Sequence, residues 1–99
     1  MESSKSMNIL ILGDIVGANG RAALKKNLKH IVDSKKIDFI VVNGENSADD
    51  GKGITKEITD EFFDIGVDVI TSGNHIWDKS SITEHISNEN RLLRPANLA

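Results

Sequence analysis

The sequence predicts an α/β fold: a parallel βαβαβα unit with helices packed on its sheet. Three observations predict it. Residues 8–13, 37–43 and 67–71 are short, mostly apolar runs, the pattern of buried parallel strands. The segments between them carry apolar residues at helical spacing. Each run then ends in a glycine beside polar residues, as strands do where an open α/β sheet meets its ligand.

The first strand is Asn8-Ile-Leu-Ile-Leu-Gly13, bounded by its glycine. Leu24, Leu28, Ile31 and Val32 then fall on one face of a helix, with Arg21, Lys25, Lys26 and Lys29 on the other, read as a solvated exterior. The second strand is Ile37 to Asn43. Ile58, Phe62 and Ile65 repeat the helical spacing, and Gly66 stops that helix. The third strand is Val67 to Thr71. A third helix is predicted from Ser81, which with Glu84 makes a capping box. Leu92 to Asn97 opens a candidate fourth strand, which Pro95 confines to an edge. Parallel strands connected through helices cross over right-handed, which gives one sheet. Strands apolar on both faces need cover on both, so Ile9, Ile11, Val41 and Ile70 are the apolar residues expected to be left exposed if part of the fold lies outside this chain.

Composition bounds the function. A chain of 99 residues holds one small domain, read as a polar, disordered tail over residues 1–7 and a partial domain over 8–99. The absence of cysteine excludes a disulfide scaffold, a Cys-ligated zinc site and a thiol nucleophile, and it fits the cytoplasm. No apolar run approaches the roughly 20 residues of a membrane span, and no apolar secretory segment follows a basic start. A net charge of −3 argues against nucleic acid as the partner.

The polar strand ends are Gly13-Asp14, Gly44-Glu45-Asn46 and Gly73-Asn74-His75. Successive βα units deliver Asp14, Glu45, Asn46, Asn74 and His75 to one rim. Oxygen ligands with an imidazole suit iron, manganese or zinc, and a cation is the usual means of keeping adjacent carboxylates ionised. The plainer reading is that Asp and Asn cap free backbone amides, which serves for one residue better than for the whole set. Asp49 and Asp50 lie in a glycine-rich segment read as a solvated loop, and His30 and His85 are read as surface residues. Trp77 is read as core support and Asp78 as a residue that orients His75 or caps the next turn.

The finer text, Gly13-Asp14-Ile15-Val16-Gly17, Asn43-Gly44-Glu45-Asn46, Gly73-Asn74-His75-Ile76-Trp77-Asp78 and Arg94-Pro95-Ala96-Asn97, resembles the YmdB-like branch of the calcineurin-like metallophosphoesterases. The resemblance runs from about Asn8 to Asn97. It implies the N-terminal portion of a metallophosphoesterase layered α/β sandwich, and a two-metal phosphodiesterase acting on cyclic nucleotides such as 2′,3′-cyclic AMP. Residue by residue it implies Asp14 and Asn46 on a first metal, Glu45 bridging, Asn74 on a second, and His75 as proton donor to the leaving oxygen. Iron is the expected metal and manganese the alternative. Three further histidine ligands of that family have no counterpart here. The resemblance therefore implies an N-terminal fragment whose partners are a phosphodiester small molecule and either a C-terminal segment or a second copy. The alternative left open is a non-catalytic α/β nucleotide-binding or interaction fragment.

Overall fold

The computed structural model describes residues 6–79 and 81–94, apart from the side chains of Trp77, Thr83, Glu84 and Ser87. The expectations for residues 1–5, the packing of Trp77, the Glu84 half of the capping box and Pro95 to Asn97 lie outside the described residues.

The order is β1 (Ile9–Asp14), α1 (Gly17–Lys35), β2 (Phe39–Asn43), α2 (Lys56–Asp64), β3 (Val69–Thr71), a single 3-10 turn (Asn74–Trp77) and α3 (Ser81–Asn88). The strands form one sheet in the order β1-β2-β3, both pairings parallel. The first three predicted strands and the three predicted helices are present. The segment after α3 returns to β3: Leu92 bridges Ile70, the Ile70 amide donates to the Arg91 carbonyl at 2.8 Å, and the Leu93 amide donates to the Ile70 carbonyl at 2.8 Å. The beginning of the candidate fourth strand therefore lies parallel beside β3.

Local chemistry sets the helix ends. Thr55 caps α2, its hydroxyl accepting the Ile58 amide at 3.2 Å. At the other end of that helix Gly66 takes φ 109, a conformation L side chains rarely adopt. Helix α1 stops at Lys36, which holds the left-handed conformation (φ 53, ψ 54) usually given to glycine.

One core cluster contains Leu24 and Leu28 of α1, Ile58 and Phe62 of α2, Ile82 of α3, and Ile40, Val42 and Ile70 of the sheet. All three helices therefore pack on the sheet face that carries Ile40, Val42 and Ile70. Phe62 is wholly buried, and such a side chain stabilises the fold by about 1.5–3 kcal/mol.

The opposite face carries Ile9 and Ile11, which are 51% and 73% exposed. This matches the expectation that Ile9 and Ile11 are among the apolar residues left exposed. The described helices are committed to the other side, and nothing among the described residues lies over Ile11. Ile70, also expected to be exposed, is fully buried because it points to the helix face, and Val41 is half-buried. Arg21 departs from the solvated exterior expected for it: its side chain is 16% exposed and turned onto the loop after β2. His85 is half-buried, with Nε2 shielded from solvent, because α3 lies against α2 rather than standing free. His30 is exposed, as expected.

Candidate metal centre

Strict alternation along β1 would place Asp14 on the same face as Leu12, toward the helices. The register prevents this. Leu12 pairs with Val42, but Asp14, not Gly13, pairs with Asn43. The extra residue is a bulge, and bulges re-aim the side chains that follow them. Asp14 thereby joins Asn43 at the C-terminal rim of the uncovered face.

Glu45 and Asn46 sit in a tight turn directly after β2. Ser47, wholly buried, closes that turn: its amide and hydroxyl both donate to the Gly44 carbonyl, at 3.2 and 2.7 Å. The Gly44 amide donates to Thr71 at 3.0 Å, which ties the turn to the end of β3. The Asn46 carbonyl accepts the Gly17 amide at 3.0 Å, which ties it to the start of α1. The Asn46 side chain then meets Asp14, with Nδ2 3.1 and 3.2 Å from the two carboxylate oxygens.

Glu45 reaches toward the third strand end. Its Oε2 accepts the His75 amide at 3.3 Å, and its carboxylate lies against the Cα of Gly73. A Cβ at residue 73 would stand 2.6 Å from Oε2 and 2.7 Å from Cδ. His75 is half-buried, and its Nδ1 lies 2.9 Å from Oδ2 of Asp78. Asp78 therefore orients the ring, one of the two roles read from the sequence. Gly53 backs this turn, where a Cβ would stand 3.0 Å from that of Asp78. Asn74 is exposed and opens the 3-10 turn.

The structure thus links Asp14 with Asn46, and Glu45 with His75, across the three strand ends. Asn74 is on the same rim through its place in the turn. Among the described residues, no three His, Cys, Asp or Glu side chains form a group able to hold a metal. Any ion here relies on the amide oxygens or on groups from outside these residues. One observation fits such an ion: Asn46 Oδ1 is buried and has no hydrogen-bond partner. An acceptor shielded from water without a donor is costly, and a cation would satisfy it.

The glycine-rich loop is tethered rather than free. Arg21 pairs with Asp49 at 2.8 Å and Lys79 with Asp50 at 2.7 Å, while both carboxylates stay largely exposed. The Lys79 hydrogen bond, and then the Lys52 amide, hold the Asp50 carboxyl below its ordinary range. Sequence reasoning missed these anchors, because each partner lies more than twenty residues away.

The model of the YmdB-like protein family matches residues 10–99. The chain belongs to the YmdB-like family. It is 43% identical over 91 residues to the 2′,3′-cyclic-nucleotide 2′-phosphodiesterase of Bacillus subtilis (strain 168), over 92% of this chain and 34% of that protein. A crystal structure described as a novel phosphatase of Mycoplasma pneumoniae superposes with a TM-score of 0.89 at 34% identity, over 96% of this chain and 34% of that one. A hypothetical protein from Thermus thermophilus superposes with a TM-score of 0.83 at 31% identity, over 94% of this chain and 35% of that one. The YmdB-like chain thus spans about a third of the length of these relatives. No helix among its described residues is long and apolar enough to cross a membrane.

Proposed function

We propose that this YmdB-like chain supplies the first part of a metal-dependent, cytoplasmic phosphodiesterase site that hydrolyses 2′,3′-cyclic nucleotides or related phosphodiesters. The observations that carry the reading are two contacts at the strand ends, Asp14 with Asn46 and Glu45 with the His75 amide, and the buried, partnerless Asn46 Oδ1. The Bacillus relative supports the substrate class.

Asp14 and Asn46 are assigned to a first metal ion, Glu45 to a position bridging two, and Asn74 to the second. Iron is the proposed metal, with manganese as the alternative. Bound ions of this kind polarise a phosphoryl oxygen and lower the pKa of a bound water. The chain's own residues supply the rest. Asp78 ties up Nδ1 of His75 and leaves Nε2 free to hand a proton to the leaving oxygen. Gly73 leaves the space in which the Glu45 carboxylate lies. Residues outside this chain complete the coordination, as the resemblance to longer family members implies.

Metal analysis of the purified chain tests the reading. Iron or manganese should co-purify or be taken up, and Asp14→Ala and Glu45→Ala should each remove it while the fold is retained. A well-folded chain that takes up neither metal between pH 6 and 8 would instead support the non-catalytic binding fragment.

A further inference from the structure

Helical periodicity assigns Arg21 to solvent, yet its guanidinium is turned inward and forks across the loop after β2. Nη1 donates to the Ser47 carbonyl at 2.5 Å, and Nη2 lies 2.8 Å from Oδ1 of Asp49. Ser47 directly follows Asn46 and closes the turn that presents Glu45 and Asn46 to the rim. We propose that Arg21 is a positioning residue of the metal centre, holding the exit of this turn so that the Asn46 amide stays against Asp14. The inference rests on the reading of Asn46 as a ligand.

Three features argue for this role over plain structural support. Asn46 is held at two adjacent points: its own carbonyl by the Gly17 amide, and the next carbonyl by Arg21. Both anchors come from the first turns of α1, the element that directly follows Asp14. The two sides of the Asp14–Asn46 contact are therefore fixed to one rigid body. Second, Arg21 Nε is buried without a hydrogen-bond partner. Selection for stability alone favours an apolar side chain at such a position, since an unmet buried donor is destabilising. Third, the geometry needs a fork. A planar guanidinium spans a carbonyl and a carboxylate with fixed donors, whereas an ammonium is a single point of charge. The Asp49 arm is 81% exposed and adds little energy; it sets the plane of the guanidinium, an acceptor role that Asn can keep, while the Ser47 arm holds the turn.

Amide NMR of the chain tests this without any activity assay. The probe is the Asn46 side-chain NH2 pair, whose proton shifts report its bonding to the Asp14 carboxylate. In Arg21→Met and Arg21→Lys the pair should move toward free-amide values, while sheet amides outside residues 44–49 keep their positions. Asp49→Asn should leave the pair near its original shifts. A manganese titration followed by paramagnetic broadening is the second readout. Loss of an outer partner of a metal ligand typically weakens affinity about 10–100-fold, and Arg21→Met should fall in that range. An unchanged Asn46 pair in both Arg21 variants would overturn the proposal. So would shifts spread over the whole sheet, the mark of a merely structural residue. If Arg21→Met does not fold, Arg21→Lys, which keeps the charge, decides. If manganese fails to bind even the unaltered chain, the metal reading fails while the Asn46 resonances still judge Arg21.

Discussion

Gly73 shows how a single residue can matter to a site it does not join. Its φ of −137° is not in the left-handed region that favours glycine, and the requirement for glycine is one of space. The carboxylate of Glu45 occupies the position a Cβ would claim. That carboxylate is the far end of a flexible side chain and is able to swing away. Gly73→Ala should therefore fold nearly as well as the original, with Tm changed by only a few degrees, yet lose the Glu45–His75 bond. Metal affinity should drop by about tenfold or more, as when a ligand's orientation is lost. Unaltered metal binding in a folded Gly73→Ala would show that Glu45 acts from another position. That Asp14, Glu45, Asn46, Asn74 and His75 follow strand ends was legible in the sequence, because glycine and polar residues recur at each of them. Arg21 was not, since its place on the helix wheel matches that of Lys25, and only a carbonyl 26 residues away turns it inward.

At the scale of elements, the loop between β2 and α2 has a tether, at Asp50, that responds to pH. Asp50 holds Lys79 beyond the 3-10 turn, and its own side chain also accepts the Lys52 amide at 3.0 Å. These partners lower the Asp50 pKa from the ordinary value of 3.8. A carboxyl with a depressed folded-state pKa contributes stability above its unfolded value, and loses it as pH falls through the folded one. The tether should therefore persist from neutral pH down to about 4, then fail at lower pH. Hydrogen exchange of the loop amides checks this, since opening should accelerate below pH 4 in the original chain only. In Asp50→Asn, exchange corrected for its intrinsic pH dependence should be fast throughout. Helix α1 offers a second test. Lys36 holds a left-handed conformation that strains side chains bearing a Cβ, by about 1–2 kcal/mol. Glycine relieves this but has more freedom to lose on folding, so Lys36→Gly should stabilise by about 0.5–1 kcal/mol in a urea melt. A loss of stability would show that the lysine side chain contributes more than its backbone strain costs.

For the whole molecule, the decisive feature is a sheet whose helices, among the described residues, lie on one face, with Ile9 and Ile11 of β1 exposed on the other. The apolar strand runs revealed that the sheet is parallel, because such runs belong to strands buried on both sides. They did not reveal which face the chain itself covers, since Ile9 and Leu10 look alike in a run of alternating Ile and Leu. Only the packing separates Ile11, 73% exposed, from Ile70, fully buried. Among the described residues β1 is also an edge strand, beside an apolar surface, a combination that favours pairing with another chain. In isolation the chain should associate with a second copy through this face as concentration rises. Ile11→Lys should shift sedimentation toward monomer and leave Tm within about 1 °C or raise it, since a mostly exposed position has little burial to lose. The equivalent change on the helix face, Val42→Lys, should unfold the chain, because Val42 is fully buried and an unpaired charge there has no partner. A chain that sediments as a monomer at every concentration would mean that Ile9 and Ile11 tolerate water alone. Association that survives Ile11→Lys would place the contact elsewhere.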